Sequence, residues 1–180
     1  MPEYCLPERP NIILINCDDL GYGDVGCYGS EVHTTPAVDR LAAEGMRFTD
    51  FYMAAPMCSP SRAAMMTGCY PQRVGLETGC EICVLRPGEP IGLSEDEVTV
   101  AELLQQSGYA TEIIGKWHCG DQPEFLPTRH GFDLWYGLPY SNDMGRTARN
   151  PHFPPLPLMR NEEVMQQQPD QAALTERYVE

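Results

Sequence analysis

Residues 11–17, with the sequence NIILINC, restrict the fold of this chain more than any other segment. Four aliphatic residues stand in a row, and three of them are isoleucine, which is β-branched. Such a run without polar alternation is typical of a strand buried on both faces, as in the middle of a parallel sheet. Parallel neighbours need crossover connections, which are usually helices. The segment therefore predicts an α/β fold with a mostly parallel central sheet flanked by helices.

The segments that follow predict the alternating helices and strands of such a fold. A helix is predicted for residues 35–45, where a Thr-Pro pair marks the start and a glycine marks the end. A second helix is predicted for residues 99–108, from a threonine cap to a closing glycine. Residues 46–52 alternate well enough to form the next strand, and residues 109–115 predict another.

Two long stretches show no sustained period. Residues 69–93 are rich in proline and glycine and predict a long surface loop, a kind of segment that is usually functional or mobile. Residues 121–157 combine proline, glycine and aromatic residues, and we expect them to be irregular but packed. The last segment, residues 170–180, has Asp170 as a candidate N-cap and a helical apolar pattern without a stop signal, so we expect the polypeptide to end inside a helix.

Charge and hydropathy exclude two classes of partner. The 180 residues include 12 lysines and arginines against 26 acidic residues, a net charge of -14, which argues against nucleic acid. No apolar run approaches the roughly 20 residues of a membrane span. Residues 1–10 lack the basic and apolar regions of a signal peptide. The chain as written is therefore expected in the cytoplasm, without a membrane partner, and export is expected if the N-terminus is incomplete.

The eight cysteines are dispersed along a chain too long to depend on disulfide bonds, which favours a reduced intracellular protein. Cys80 and Cys83 have the spacing of half a zinc site or of a redox pair. No second pair with that spacing and no His-x-His sequence follows them, although a structural zinc ion needs four ligands. A zinc or redox role for these two residues is therefore the weakest hypothesis.

Asp18 and Asp19 directly follow the first predicted strand, at the end where open α/β sheets bind ligands. Neighbouring strand residues point to opposite faces, so both carboxylates reach one ion only if the backbone turns. Gly21 and Gly23 permit such a turn. A metal site and a solvated acidic loop are both compatible with this pattern.

Cys58 and Arg62 lie four residues apart, in the sequence CSPSR, at the start of a short helical pattern. At 3.6 residues per turn they share a face, and the N-terminus of a helix attracts anions. Cys58 is either an activated nucleophile at this helix end or a small buried residue.

Lys116 and His118 follow the strand predicted for residues 109–115. They point the same way if the strand continues, which would bring a cation and an imidazole to the carboxyl edge of the sheet. The alternatives are a surface lysine and a core histidine whose hydrogen bonds are satisfied.

Four motifs, in this order, resemble the N-terminal part of a type I sulfatase of the alkaline-phosphatase-like superfamily. They are the acidic pair with its Gly-Tyr-Gly sequence, Cys-x-Pro-Ser-Arg with a trailing Thr-Gly, Gly-Lys-Trp-His at 115–118, and His-Gly-Phe-Asp at 130–133. The motifs lie within residues 10–145, and we expect residues 146–180 to be an irregular stretch and a truncated helix. Residues 1–180 would then be the N-terminal portion of a sulfatase catalytic domain, with an alkaline-phosphatase-like sheet that is incomplete at its C-terminus. Residues 126–142 are most similar to the arylsulfatase A and N-acetylgalactosamine-6-sulfatase branch.

The resemblance implies that a separate maturating enzyme oxidises Cys58 to formylglycine, whose hydrate attacks the sulfur of a sulfate ester and later expels sulfate. It also implies that a calcium ion is held by Asp18, Asp19 and the modified residue 58. Arg62 would hold the modified side chain, Lys116 would bind sulfate oxygens, and His118 would hydrogen-bond or deprotonate the hydrate. The substrate would be an aryl sulfate or a sulfated carbohydrate.

Sulfatases take further calcium ligands, a later histidine and a second lysine from a C-terminal half that this sequence does not contain. Calcium takes six to eight oxygen ligands, so we expect the 180-residue chain alone to hydrolyse aryl sulfates poorly or not at all. Two alternatives stay open. One is a phosphatase or phosphonate monoester hydrolase of the same superfamily, and the other is a non-catalytic remnant that binds an anion or a metal and keeps Cys58 as a thiol.

Overall fold

A computed structural model describes residues 9–77, 84–147 and 149–180. The chain divides into two compact units, Met1–Phe51 and Tyr52–Glu180. The first contains helix α1; the second contains helices α2 to α4 and strands β1 to β4. In chain order the elements are α1 (Pro36–Glu44), α2 (Cys58–Thr67), α3 (Val100–Gln106), β1 (Glu112–Lys116), β2 (Leu134–Leu138), β3 (Pro157–Arg160), β4 (Glu163–Gln167) and α4 (Leu174–Arg177). No helix in these stretches combines the length and the apolar character needed to cross a bilayer.

Helix α1 of the first unit confirms the prediction for residues 35–45, with Pro36 in its first turn and Gly45 at its C-cap. The Asp39 carboxylate, inside the helix, connects α1 to the preceding turns. It accepts hydrogen bonds from the Cys27 backbone N–H, at 2.6 Å, and from the Thr35 hydroxyl, at 2.9 Å. Polar contacts therefore hold this unit together where apolar burial is sparse.

The two strands predicted in the first unit are wrong. Residues 11–17 and 46–51 contain no strand, and Tyr52, the end of the second prediction, lies in an irregular segment of the other unit. The side chains of Ile13 and Ile15 are 84% and 76% exposed. A strand forms by exchanging backbone hydrogen bonds with a neighbour, and the described residues of this unit supply no such neighbour. The apolar run therefore forms no strand and stays exposed.

The sheet of the second unit has the order β1-β2-β3-β4. Strands β1 and β2 are parallel, whereas β2 with β3 and β3 with β4 are antiparallel. The α/β class is confirmed, but this part of the sheet is mixed and not mostly parallel. Between β3 and β4 a two-residue connection at Asn161, whose φ is 53°, reverses the chain and makes this pair antiparallel.

Strand β1 confirms the strand predicted for residues 109–115, shifted toward its C-terminal end. Strand β2 lies within the stretch that we expected to be irregular. It pairs with β1 in register from Glu112 opposite Leu134 to Lys116 opposite Leu138. Strands β3 and β4 were also not predicted.

Helix α3 confirms the helix predicted for residues 99–108 and begins with a capping box between Thr99 and Glu102. The described parts of 69–93 contain neither helix nor strand, in agreement with the predicted loop. Near the C-terminus the Asp170 carboxylate accepts a hydrogen bond from the Ala172 N–H, which confirms the predicted N-cap. Helix α4 ends at Arg177 with Tyr178 as its C-cap, so the expectation that the polypeptide ends inside a helix is wrong.

Two clusters of buried apolar side chains form the core of the second unit. One contains Ala63 and Met66 of α2 together with Trp117 and Trp135. The other places Leu138 against a set of leucines from β3 and the C-terminal region: Leu156, Leu158 and Leu174. The first cluster supports the segment that follows β1.

The His-Gly-Phe-Asp motif joins the start of α3 to the starts of β1 and β2. The Thr99 hydroxyl donates a hydrogen bond to the His130 carbonyl, at 2.7 Å. Asp133 accepts hydrogen bonds from the Thr111 N–H, the Gln105 amide and the Thr111 hydroxyl, and these bonds hold its pKa below the ordinary value. The motif thus has an architectural role in this fold.

Candidate active site

Helix α2 begins at Cys58, as predicted, and ends where Gly68 adopts a left-handed conformation with φ of 68°. The N-cap residue, Met57, is extended and makes no side-chain capping hydrogen bond. The first N–H groups of the helix therefore retain their partial positive charge for an anion. Cys58 is half-buried at this end.

Arg62 connects this helix end to the sheet. It lies one turn after Cys58, and its Nη1 donates a hydrogen bond to the backbone carbonyl of Lys116, the last residue of β1. A guanidinium bound to a strand terminus by this contact has little freedom to move. The N-terminal turn of α2 and the carboxyl end of β1 are thereby held in one place.

Lys116 is half-buried, and its Nζ lies 3.4 Å from the hydroxyl oxygen of Ser141. Ser141 follows β2, the parallel neighbour of β1, so both residues lie at the carboxyl edge of this pair. The sequence analysis missed Ser141. The signal that identifies it is its position after β2, which was itself not predicted.

His118 is fully buried and has a left-handed backbone conformation, with φ of 61°. Strand β1 ends at Lys116, so the strand continuation that would align residues 116 and 118 does not occur. The His118 N–H donates to the Pro139 carbonyl, at 3.0 Å, and its Nε2 lies 2.9 Å from the Leu85 carbonyl. A carbonyl only accepts, so Nε2 carries the hydrogen in the neutral ring, and Nδ1 is the nitrogen that can take up a proton.

Leu85 connects His118 with the start of α2. Its carbonyl faces the His118 ring, and its N–H donates a hydrogen bond to the hydroxyl of Ser59, at 3.1 Å. Ser59 is buried directly after Cys58. A residue of the predicted loop therefore joins the start of α2, next to Cys58, to the His118 ring, a contact that sequence spacing does not reveal.

Asp18 and Asp19 lie in the first unit, in an exposed turn. Asp19 itself makes the turn, with φ of 58°, whereas Gly21 is extended and Gly23 lies in a short 3-10 helix. Aspartate enters this conformation more readily than most residues. The expected role of the two glycines in turning the chain is therefore wrong.

The acidic pair fits calcium in the type of its donor atoms, because carboxylate oxygens are hard ligands. It does not fit in number: the described residues contain no group of three or more His, Cys, Asp or Glu residues that could hold a metal ion. These residues therefore provide part of a calcium site at most. Cys80 and Cys83, the candidate zinc or redox pair, lie outside the described residues.

Comparison with known proteins identifies the family. Residues 10–180 match the family model described as Sulfatase. The chain belongs to the sulfatase family. Over 94% of its length it is 48% identical to arylsulfatase A of Bos taurus, and over 74% it is 49% identical to N-acetylgalactosamine-6-sulfatase of Sus scrofa. The crystal structure of Ps i-CgsB superposes on 94% of the chain with a TM-score of 0.76 and 36% identity. The superposed region is 40% of the Ps i-CgsB chain.

The chain covers 36% of the bovine arylsulfatase A and 26% of the porcine N-acetylgalactosamine-6-sulfatase. It therefore spans between a quarter and about a third of the length of these relatives. The predicted similarity to the arylsulfatase A and N-acetylgalactosamine-6-sulfatase branch is confirmed. The individual roles of the site residues stay predictions.

Two cysteines of the second unit have very different surroundings. Cys119 is fully buried next to His118, and burial raises the pKa of its thiol to about 12; Arg62 opposes this rise and Cys58 adds to it. A thiol in that state stays protonated and unreactive. Cys58, at the half-buried helix end, is the more accessible of the two.

Proposed function

We propose that this chain carries the nucleophile and the sulfate-binding groups of a sulfuric ester hydrolase. The observation that carries the proposal is the hydrogen bond from Arg62 to the Lys116 carbonyl. It joins the helix end that bears Cys58 to the strand end that bears Lys116. The Arg62 guanidinium and the backbone of Lys116 thus meet beside the N-terminal turn of α2, in a chain whose net charge is -14.

The nucleophile, in this proposal, is made from Cys58 by a separate formylglycine-generating enzyme. Formylglycine supplies a hydrated aldehyde that is nucleophilic and that can afterwards release sulfate. Cys58 is suited to such a modification because it stands at a partly exposed helix end within Cys-x-Pro-Ser-Arg. Cys119, although near in sequence to the catalytic histidine of this proposal, is fully buried.

The sulfate group is bound by charge. A sulfate ester is an anion, and negative charge grows on its oxygens as a nucleophile attacks, so fixed cations stabilise the transition state. Lys116 binds these oxygens, Ser141 orients the Lys116 ammonium, and Arg62 holds the side chain at position 58. His118 accepts a proton at Nδ1, because Nε2 is committed to the Leu85 carbonyl.

Asp18 and Asp19 contribute two of the ligands of a calcium ion in this proposal. Calcium supplies positive charge that favours binding of an anionic ester. Since the described residues supply only part of its coordination, the other ligands must come from elsewhere. This is the physical reason to expect little turnover from the 180-residue chain alone.

The substrate class follows from the relatives. One is named for aryl sulfates and the other for a sulfated amino sugar. We therefore propose an aryl sulfate or a sulfated carbohydrate as the substrate. The sequence contains no observation that favours a phosphate ester.

The test is co-expression of the chain with a formylglycine-generating enzyme, followed by mass spectrometry of the tryptic peptide 48–62. We expect conversion of Cys58, whereas the peptide 117–129 keeps Cys119 as a thiol. Lys116→Ala is expected to weaken binding of inorganic sulfate, measured by calorimetry, without changing the conversion. A persistent thiol at position 58 would contradict the catalytic proposal, and rapid turnover of a chromogenic aryl sulfate by the chain alone would contradict the expected low activity.

A further inference from the structure

The segment that carries Lys116 and His118 is anchored by the side chain between them. Trp117 is 1% exposed, and its indole N–H donates a hydrogen bond to the Phe125 carbonyl, at 2.7 Å. Its ring stacks on the imidazole of His130, with ring centroids 5.7 Å apart and an interplanar angle of 29°. Phe132 meets the same indole edge-on, at 6.3 Å. The Trp117 ring thus holds the left-handed turn at His118 together with the backbone hydrogen bond from the His118 N–H to the Pro139 carbonyl.

His130 is an unusual support for this ring. Its side chain is fully buried, and neither ring nitrogen has a hydrogen-bond partner in the part of the chain that the structure describes. Its backbone is well held: the N–H donates to the Pro127 carbonyl, at 2.9 Å, and the carbonyl accepts from Thr99. The imidazole therefore contributes by stacking and packing alone, and a charge on this buried ring would have no hydrogen-bond partner to offset its loss of hydration.

We propose that His130 is a positioning residue that holds the Lys116–His118 turn only while its imidazole is neutral, and that its protonation releases the turn. The importance of the turn rests on the proposed function, since Lys116 and His118 are the groups that it presents. The switch itself is a property of the packing and needs neither sulfate nor a modified Cys58.

Burial and the charges around His130 have opposite effects on its pKa. Burial lowers its pKa from the ordinary value of 6.5, and the carboxylates of Glu102 and Glu95 oppose that shift. The neighbouring Arg129 is paired with Glu162 at 2.8 Å, and Asp133 is engaged by Thr111 and Gln105. Burial is the largest of these effects, so the neutral form prevails in the folded chain.

The sign of the pH effect follows from linkage. Above the ordinary pKa of histidine, His130 is neutral in both the folded and the unfolded chain and adds no pH dependence. Below it, the unfolded chain takes up a proton that the folded chain does not. The unfolding equilibrium constant therefore rises with falling pH, by up to about tenfold per pH unit, until the lowered pKa of the folded chain is reached.

The test compares His130→Phe with the wild-type chain in urea unfolding between about pH 7 and pH 4, the range in which histidines titrate. Phenylalanine keeps an aromatic ring against Trp117, loses no hydrogen bond of the ring and cannot be protonated. We expect the variant to lose the part of the pH dependence that corresponds to one proton, up to about tenfold per pH unit. The matched control is His152→Phe at an exposed position, which should follow the wild type.

Two spectroscopic measurements report on the His130 ring and on the packing of Trp117 directly. In NMR titration of the four histidines, the pKa of His130 should lie below the ordinary value of 6.5, because its ring is buried. His130→Ala should weaken the near-ultraviolet circular dichroism of tryptophan at every pH, and the wild type should lose it only in acid. Equal pH slopes for wild type and His130→Phe, or titration of His130 at its ordinary pKa, would overturn the proposal. If His130→Phe does not fold, the NMR titration of the wild-type chain decides.

Discussion

The two units of this chain bury similar apolar residues to very different extents. In Tyr52–Glu180, Leu93 and Leu158 are fully buried. In Met1–Phe51, Leu14 is 63% exposed and Ile13 is 84% exposed, although both belong to the most continuous aliphatic run of the sequence. Strand β1 of the second unit pairs with β2 over its whole length, and the run in the first unit has no described partner.

This difference shows that hydrophobic pattern identifies a segment able to become a buried strand but does not make it one. Burial requires a second element that supplies both apolar contacts and backbone hydrogen bonds. The first unit is held mainly by polar contacts at Asp39, and the second by two apolar clusters. Substitutions of the same kind in the two units should therefore differ in cost.

The largest difference is expected for one substitution made in both units. Leu158→Ala should lower the free energy of unfolding by about 2–5 kcal/mol, because it leaves a cavity in a filled cluster. Leu14→Ala should change it by less than about 0.5 kcal/mol, because its side chain is mostly exposed. Urea denaturation of both variants measures the effect, and equal losses would mean that residue 14 is buried in solution.

Glycine substitutions should give the next largest difference. A Cβ atom at Gly137 would lie 1.8 Å from the Gly115 carbonyl oxygen of the paired strand, so Gly137→Ala should cost about 1–3 kcal/mol or more. At Gly23 of the first unit nothing lies within 4 Å of the added atom, and alanine there should be close to neutral. Thermal unfolding of the two variants compares them, and a stable Gly137→Ala chain would be incompatible with this strand register.

A smaller effect is expected at the start of α3. Thr99→Ala removes the N-cap acceptor of the Glu102 N–H and the hydroxyl bond to the His130 carbonyl, so it should cost about 0.5–2 kcal/mol. Thr99→Ser keeps the hydroxyl and serves as the matched control. Helix α1 of the first unit has no side-chain capping hydrogen bond from Thr35. Side-chain capping is therefore a difference between α1 and α3. Equal stability of the alanine and serine variants would show that the cap contributes nothing.

The smallest effects should come from surface ion pairs. Arg40 and Glu44 of α1 are 4.0 Å apart and largely exposed, so Arg40→Ala should change stability by less than about 0.5 kcal/mol. Arg129→Ala breaks a 2.8 Å pair with Glu162 and should cost somewhat more, within about 1 kcal/mol. Added salt should reduce the second effect, and a loss that is insensitive to salt would point to packing of the arginine stem as its cause.

Structural features marked by local sequence signals were predicted correctly. Pro36, Gly45 and Thr99 lie within a few residues of the helix ends that they mark, and helices α1 and α3 form as predicted. The position of Cys58 at the start of α2 follows from the same kind of signal. Membership of the sulfatase family could also be predicted from the sequence, because the motifs keep their order along the chain.

Features that depend on contacts between residues distant in sequence were not predicted. Strand β2 contains Gly137, which weakens any local strand pattern, and it forms because Gly115 of β1 lies beside that glycine. Ser141 could not be placed near Lys116 without this pairing, and neither could Leu85 be placed between Ser59 and His118. The turn at Asp19 was assigned to nearby glycines because their conformational freedom is the usual signal for a turn.

By itself, the sequence determined helices α1 and α3, the α/β class and the sulfatase family, since these depend on short-range pattern and on motifs; it supplied the site residues only as candidates. The tertiary structure alone decided which apolar runs are buried, which nitrogen of His118 can take up a proton, and that Arg62 binds the end of β1. Those outcomes depend on contacts between residues many positions apart. Such contacts form only when backbone hydrogen bonds and apolar burial together offset the loss of chain entropy.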